Sequence, residues 1–281
     1  MDTGRMRKDM SINIKGYLMD LDVPKVMGIL NITPDSFFQQ SRTPSESLIR
    51  ERVERMMEVG ADIIDIGGCS TRPGYTPPGE AEEWERLNLG CRIVREAAPE
   101  VPISVDTFRH TVARRAIDKW GIEIVNDVSG CIDPYMGETV AHAGVAYVLT
   151  HNRADGNTDY NDVTADVITE LSWKINELHR LGVNDVIVDP GFGFAKTVEQ
   201  NFRLLDELDE VAAMGCPVLA GISRKSMIWR SLGCSPDEAL AGTVALDAIA
   251  LEKGASILRV HDVREAKETV RLFTKLKNIP V

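Results

Sequence analysis

The stretch Asp185-Val-Ile-Val-Asp-Pro-Gly-Phe-Gly-Phe194 joins a short apolar run directly to a turn made of Asp, Pro and Gly. The predicted strand, 185–188, has the length and, from Val186 onward, the β-branched content of a buried strand. The same kind of run, followed by polar or Gly residues and then by an amphipathic stretch, recurs along the whole chain. The predicted strands are 25–30, 62–66, 102–105, 122–125, 145–149, 185–188, 217–220 and 256–259. This repeat predicts eight βα units around one parallel sheet.

Helical patterns occupy the intervals between the predicted strands. The clearest span Glu46 to Val59, Glu80 to Ala98, Arg109 to Trp120, Thr164 to Leu181 and Val198 to Met214. We therefore expect an α/β fold, a single-domain (β/α)8 TIM barrel over residues 25–281, preceded by an N-terminal extension or short hairpin over residues 1–24. The alternative is an open doubly wound sheet, which more often has fewer strands and a Gly-rich first turn.

Composition limits the classes of partner. The 281 residues carry a formal net charge of −11, which disfavours nucleic acid and anionic membrane surfaces as partners. The five cysteines are scattered and odd in number, a usage typical of a reducing compartment and not of a zinc cluster. Residues 1–24 lack the apolar segment of a signal peptide, and no later stretch is long enough for a membrane span. We expect a soluble, cytoplasmic protein.

Polar side chains follow nearly every predicted strand. They include Asn31, Gly67-Gly68, Asp106, Asn126-Asp127, Thr150-His151, Asp189, the run Ser223 to Ser226, Arg259 and His261. Taken singly, these are ordinary turn or capping residues. Turns and caps, however, do not require acids, amides and bases at the same end of successive strands. Because parallel barrel strands all end at one mouth, the pattern predicts one composite active site.

The residue types indicate two kinds of subsite. Asp106, Asn126, Asp189 and Lys225 offer acceptors, an amide and a strong donor, which suit a flat heterocycle carrying NH2, N–H and C=O groups, such as a pterin. Asn31, Arg259 and His261 suit an anion and a metal subsite. The Asn31 amide oxygen is a candidate ligand of Mg2+, with phosphate oxygens and water as the other ligands. No Ser-His-Asp set or other activated nucleophile is evident.

Six blocks of sequence resemble the dihydropteroate synthase family in order and spacing. They are Met27 to Phe37 (MGILNITPDSF), Gly60 to Gly68 with Ser70 to Gly74, Ser104 to Thr107, Asp189 to Phe194, Ser223 to Ser226 and Arg259 to Val263. The resemblance runs from about Val26 to Leu272. It implies condensation of 6-hydroxymethyl-7,8-dihydropterin diphosphate with 4-aminobenzoate in folate biosynthesis, with Mg2+ as cofactor, in a homodimer.

The resemblance also assigns roles to residues. It places Asp106, Asn126, Asp189 and Lys225 on the pterin, and Asn31, Arg259 and His261 on the diphosphate, with Asn31 facing the metal. It places Thr71, Arg72, Pro73, Phe192 and Ser226 at the 4-aminobenzoate. Asp35, Asp106, Lys225 and Arg259 are the predicted catalytic residues, with Asp35 helping to order the site when the long loops 31–42 and 67–79 close over it.

The chain departs from the family pattern in three places. Cys69 stands where the family usually has Glu, and Phe38-Gln-Gln-Ser41 replaces a commoner Ser-Asp-Gly-Gly. Leu149-Thr-His-Asn-Arg153 replaces a commoner Met-His-Met. Two other readings remain open on sequence alone. One is a methyltetrahydrofolate-binding methyltransferase barrel, and the other is a pterin-binding paralogue without synthase activity.

Overall fold

Eight parallel strands form the central sheet of the computed structural model, which describes residues 10–32, 46–69 and 76–277. The strands are β3 (Lys25–Asn31), β4 (Ile63–Gly67), β5 (Ile103–Asp106), β6 (Ile124–Asp127), β7 (Ala146–Thr150), β8 (Val186–Asp189), β9 (Leu219–Ala220) and β10 (Ile257–Val260). Their order is β8-β7-β6-β5-β4-β3-β10-β9. A parallel bridge between Val188 and Val218 brings the two edge strands together. The expected (β/α)8 barrel is confirmed.

The predicted strand bounds are wrong by one or two residues. Six strands extend further than predicted because a polar or Gly residue expected to follow the strand is instead its last member. Asp106 pairs in register with Asn126, and Thr150 pairs with Asp189. Backbone hydrogen bonding continues the ladder whatever the side chain, so an apolar pattern alone ends too early.

Ten α-helices and one short 3-10 helix (Pro236–Glu238) are described, and they lie outside the barrel or connect its strands. The α-helices are α1 (Glu46–Glu58), α2 (Glu80–Ala97), α3 (His110–Trp120), α4 (Met136–Ala143), α5 (Val163–Leu181), α6 (Val198–Asp206), α7 (Leu208–Ala212), α8 (Ser226–Leu232), α9 (Leu240–Glu252) and α10 (Val263–Lys277). The predicted helix Val198 to Met214 is wrong, since the chain breaks at Glu207 between α6 and α7. The Glu207 carboxylate accepts a hydrogen bond from Thr164 Oγ1 of α5, at 2.7 Å.

Alternate residues of the strands face opposite sides of the barrel wall. Ile64 and Ile66 of β4 pack in the outer core beneath the helices, whereas Ile63 packs inside the barrel. Because side chains alternate along a strand, Asp65 also faces inward. The same alternation turns a layer of polar side chains toward the interior at the carboxyl ends of the strands. This layer consists of Asp65, Asp106, Asn126, Thr150, Asp189 and Arg259.

A hairpin occupies the opposite end of the barrel. It consists of β1 (Ser11–Ile14) and β2 (Tyr17–Asp20), paired antiparallel. Ile12, Ile14 and Met19 are buried and pack with the lowest interior layer of the barrel, which includes Met27. The amino-terminal end is therefore covered, and the polar mouth is at the other end. In the part of the chain that the structure describes, no helix is long and apolar enough to cross a membrane.

Candidate active site

Arg259 is held between two buried carboxylates. Its Nε lies 2.6 Å from Asp65 Oδ2, and its Nη2 lies 2.8 Å from Asp106 Oδ2. Asp65 also accepts from Ser104 Oγ at 2.6 Å and from Asn126 Nδ2 at 3.1 Å. Three donors from three other strands thus converge on one carboxylate, which fixes the relative positions of Arg259 and Asn126. Nη1 of Arg259 makes no hydrogen bond to any described residue.

The electrostatics of this group are dominated by burial. Burial raises the pKa of Asp106 to about 7, although the neighbouring Arg259 charge acts in the opposite direction. Desolvation would lower the pKa of Arg259, but Asp65 and Asp106 together raise it well above its ordinary value. Arg259 therefore remains charged at every physiological pH, and it is the fixed cation of the mouth.

Asn126 contributes a buried acceptor that has no partner. Its side chain is 1% exposed, and its Nδ2 is used by Asp65. Its Oδ1 makes no hydrogen bond within the described chain. A buried amide oxygen without a hydrogen bond destabilises the folded protein by about 1–3 kcal/mol, and such atoms are normally paired. A bound ligand that donates to Asn126 Oδ1 would remove this penalty.

Asp189 ends β8, and Lys225 directly precedes α8 on the neighbouring part of the barrel. Asp189 Oδ1 accepts from the backbone N–H of Gly191 at 2.8 Å. Lys225 donates to the Phe192 carbonyl, and its ammonium lies 4.5 Å from the centre of the Phe194 ring. Burial raises the pKa of Asp189, with the Lys225 charge opposing this effect. Burial lowers the pKa of Lys225 to about 8, and Asp189 opposes that change.

Lys196 fixes the loop that follows β8. Its ammonium donates to the carbonyls of Gly191 and Phe194, both at 3.1 Å, and to His151 Nδ1 at 3.0 Å. His151 Nε2 lies 3.0 Å from Glu170 Oε2. Burial lowers the pKa of His151 to about 4, so the ring is neutral, with Nε2 protonated and Nδ1 accepting. All three ammonium protons have acceptors, which holds the backbone beside Asp189 in one conformation.

The predicted diphosphate residues lie at the ends of neighbouring strands. Asn31 is the last residue of β3 and pairs with Gly67 of β4. A Cβ at Gly67 would lie 2.9 Å from Asn31 Oδ1, so the glycine leaves space for this amide. His261 follows β10 and its Nδ1 lies 3.1 Å from Ser223 Oγ. The ring is open to solvent on one side, yet the protein packed around it and the charge of Arg259 lower its pKa to about 4.

The predicted 4-aminobenzoate residues are only partly described. Ser226 begins α8 and is half-buried. The Phe192 ring is fully buried in the outer core, and the atom that this residue turns toward Lys225 is its carbonyl oxygen. Burial raises the pKa of Cys69, two residues after β4, to about 11, so this thiol is neutral. Asp35, Thr71, Arg72 and Pro73 lie outside the described residues.

Two residues of this arrangement were missed by sequence reasoning. Asp65 had a usable signal, because a carboxylate in the middle of a strand buried on both faces requires partners. Lys196 had none, since its acceptors are backbone carbonyls and a histidine 45 positions earlier in the chain.

Comparison with known proteins gives consistent matches. The family model described as "Pterin binding enzyme" matches residues 27–261. The dihydropteroate synthase of Clostridium beijerinckii is 39% identical over 251 residues, which is 88% of this chain and 92% of that protein. The dihydropteroate synthase of Bacillus subtilis is 40% identical over 257 residues, 90% of this chain and 88% of that protein.

Solved structures agree with these sequence relatives. A dihydropteroate synthase of Xanthomonas albilineans, solved with 4-aminobenzoic acid, superposes with a TM-score of 0.90 at 36% identity and covers 97% of this chain and all of its own. The enzyme of the same organism in complex with 7,8-dihydropteroate gives a TM-score of 0.85 at 35% identity, covering 96% of this chain and 100% of its own. With a family match over most of its length and relatives this similar, the chain belongs to the pterin binding enzyme family and, within it, to the dihydropteroate synthases.

Proposed function

We propose that the barrel mouth is the place where this synthase joins 6-hydroxymethyl-7,8-dihydropterin diphosphate to 4-aminobenzoate. The observation that carries the proposal is a set of buried polar groups at the mouth, in which the amide oxygen of Asn126 has no partner among the described residues. The set consists of Asp106, Asn126, Asp189, Lys225 and Arg259. A set of buried polar groups from separate strands, with one acceptor left over, suits a polar planar ligand that enters from the mouth. A relative solved with 7,8-dihydropteroate supports this choice of ligand.

The pterin ring would be bound by four side chains. Asp106 and Asp189 supply acceptors for its NH2 and ring N–H groups, Asn126 Oδ1 supplies another, and Lys225 donates to its oxygen or a ring nitrogen. A ligand that lacks one of these groups leaves a buried polar atom unpaired, which is the source of selectivity. In the free protein the Lys225 ammonium donates to the Phe192 carbonyl. To donate to the pterin as well, the ammonium would have to direct another of its protons into the pocket.

The diphosphate would be bound at the ends of β3 and β10. Arg259 presents Nη1 to it, and neutral His261 presents Nε2–H while Ser223 occupies Nδ1. Asn31 would be the protein ligand of Mg2+, because it is only half-buried at the end of β3 and Gly67 leaves room for its amide. The described residues contain no cluster of three or more His, Cys, Asp or Glu able to hold a metal, which suits an ion held mainly by phosphate oxygens and water. When bound, Mg2+ supplies charge neutralisation to the phosphate oxygens.

The reaction requires positioning and charge stabilisation more than a protein nucleophile. The bond between the exocyclic carbon of the pterin and the diphosphate oxygen breaks, and the electron pair leaves with diphosphate toward Arg259 and His261. Asp106 and Asp189 stabilise the positive charge left on the pterin. The amine of 4-aminobenzoate then forms the C–N bond and loses a proton to water.

The 4-aminobenzoate would bind on the side of Ser226 and Phe192. Thr71, Arg72 and Pro73 are proposed to border it and Asp35 to order the closed site, on the strength of the sequence resemblance. A relative solved with 4-aminobenzoic acid supports a separate place for this substrate.

Diphosphate release tests the proposal. Purified protein, Mg2+ and the pterin diphosphate should release diphosphate only when 4-aminobenzoate is added, and chelation of Mg2+ should slow the reaction.

Asp106→Asn removes a charge-assisted acceptor and should lower kcat/KM by about ten- to a hundredfold. Asp118→Asn, an exposed helix carboxylate paired with Arg114, is the matched control and should leave it unchanged. Pterin binding without turnover in the wild type would instead favour a non-catalytic paralogue, and unchanged kcat/KM in Asp106→Asn would contradict the pterin assignment.

Two wider properties are proposed with this activity. The outer face of α9 exposes Ala241, Ala245, Ala248 and Ile249, and on α10 Leu272 is 73% exposed, a surface that suits the symmetric contact of a homodimer. Sedimentation at micromolar concentration should show a dimer. All five cysteines are free thiols, which supports a cytoplasmic location.

A further inference from the structure

Thr150 carries a buried hydroxyl that has no partner. It is the last residue of β7 and is fully buried, and its Oγ1 makes no hydrogen bond to any described residue. A hydroxyl withdrawn from water without a compensating hydrogen bond destabilises the free protein by about 1–3 kcal/mol. A valine at this position would have nearly the same shape without that cost, so the hydroxyl has no structural justification in the free barrel.

The position of Thr150 connects this hydroxyl to the mouth. Val148, two residues earlier on β7, packs inside the barrel, so Thr150 faces the same interior one layer closer to the mouth. Thr150 is paired in register with Asp189 of β8, and on its other side β7 is paired with β6, which carries Asn126. Thr150 therefore lies between two residues of the proposed pterin pocket.

A second unpaired atom occurs on the adjacent strand. Asn126 Oδ1 is also buried without a partner, whereas the other buried unpaired side-chain atoms of the described chain belong to Asp247 and Thr274, on the helices α9 and α10. Asn126 pairs with Val148, so the two orphan polar atoms lie on the inward faces of neighbouring strands, with Thr150 one step closer to the mouth, and they have a common explanation. Both become satisfied by one planar ligand that carries its own donors and acceptors.

We propose that Thr150 is a specificity-determining residue that hydrogen-bonds the pterin ring through its hydroxyl. The inference rests on the proposed pterin pocket and adds one contact to it. The hydroxyl both donates and accepts, and rotation about the Cα–Cβ bond changes its direction without moving the strand. The free protein therefore holds an unfavourable group whose cost is relieved when the pterin binds.

The substitution Thr150→Val separates this role from a structural one. It removes only the hydroxyl, so the Tm of the free protein should stay the same or rise. The Kd for 6-hydroxymethyl-7,8-dihydropterin diphosphate, measured calorimetrically without 4-aminobenzoate, should increase about five- to tenfold. Thr150→Ser keeps the hydroxyl and should bind within about twofold of the wild type.

The chain supplies a matched control at Thr274, whose hydroxyl is also buried and unpaired but belongs to α10. Thr274→Val should change the Tm in the same direction as Thr150→Val and leave the Kd unaltered. The proposal is overturned if Thr150→Val binds the pterin as tightly as the wild type, if Thr150→Ser loses as much affinity as Thr150→Val, or if Thr150→Val lowers the Tm or prevents folding.

A further variant separates this proposal from the pocket on which it rests. Asp189→Asn should weaken pterin binding if the pocket is correctly placed. Loss of affinity in Asp189→Asn together with unchanged affinity in Thr150→Val overturns the role of Thr150 alone. Unchanged affinity in both variants overturns the pocket as well.

Discussion

Asp65 is the residue through which the pterin and diphosphate sides of the mouth are coupled. Ser104, Asn126 and Arg259 all donate to its carboxylate, and its side chain is fully buried. An amide at this position would present NH2 to at least one of those donors. A carboxylate is therefore the side chain that can satisfy all three at once.

The substitution Asp65→Asn should reduce both stability and catalysis. Breaking the buried ion pair with Arg259 should lower the free energy of unfolding by about 3–5 kcal/mol. Displacement of Arg259 and Asn126 should lower kcat/KM at least tenfold, by an order-of-magnitude estimate. Urea melts and steady-state kinetics measure the two effects. Asp62→Asn, just before the same strand and paired with Lys267, should affect only stability, and equal kinetic losses in both variants would contradict the role of Asp65.

Single residues differ in how well the sequence predicts them. Asp106, Asn126 and Asp189 are predictable because each ends an apolar run, and parallel strands bring such ends together. The partner of Arg259 is not predictable in the same way. Which carboxylates Arg259 contacts depends on the register of β10 against β3 and of β3 against β4. The apolar pattern of the sequence does not determine that register.

At the scale of elements, the helix α9 contains an acid at a buried position, where an apolar side chain would be expected. Asp247 is 1% exposed, and its Oδ1 has no partner among the described residues. Burial, with a contribution from Asp262, raises the pKa of Asp247 from 3.8 to about 7. Since the folded-state pKa is raised, the folded protein binds this proton more tightly than the unfolded chain. The stabilisation is complete below about pH 4 and is lost as the pH rises through 7.

Asp247→Asn should therefore stabilise the protein in a pH-dependent manner. The uncharged amide avoids the cost of a buried carboxylate, so the free energy of unfolding should rise by about 1–3 kcal/mol at pH 8. The difference should shrink toward zero near pH 4, where the wild-type acid is itself neutral. Denaturant melts across that range test the sign. Glu252→Gln, an exposed acid on the same helix, should show little of this pattern, and a constant difference at all pH values would contradict the assignment.

Elements also show why sequence bounds fail at particular places. The interval Val198 to Met214 has one continuous apolar pattern, but Glu207 binds Thr164 of α5 and the chain divides there. This contact joins residues 43 positions apart, so it lies outside any local window. The strand β9 has only two residues for a related reason, because its pairing depends on residues distant in sequence. It pairs with β10 at Leu219 and Ala220, and toward β8 the described residues form one isolated bridge, between Val188 and Val218.

At the scale of the whole molecule, stability and chemistry are placed at opposite ends of the barrel. The hairpin β1–β2 covers the amino-terminal end, with Ile12, Ile14 and Met19 against the lowest interior layer. The backbone N–H of Asn13 donates to Asp185 Oδ1, at 2.9 Å, just before β8. The hairpin thus buries the bottom of the barrel, while none of these contacts reaches the polar layer at the mouth.

This separation predicts that the hairpin can be weakened without changing the reaction. Ile12 is 1% exposed, so Ile12→Ala removes buried methylene and methyl groups and leaves a cavity, which should cost about 2–5 kcal/mol of unfolding free energy. Leu18 on the same hairpin is 68% exposed, and Leu18→Ala should change stability by less than about 0.5 kcal/mol. Both variants should keep the wild-type kcat/KM at temperatures where they are folded. Because the hairpin and the mouth share no partner, the stability effects of Ile12→Ala and Asp65→Asn should add within about 0.5 kcal/mol in the double variant. A loss of kcat/KM in Ile12→Ala below its melting temperature would show instead that packing in the lower layer of the barrel affects the positions of the side chains at the mouth.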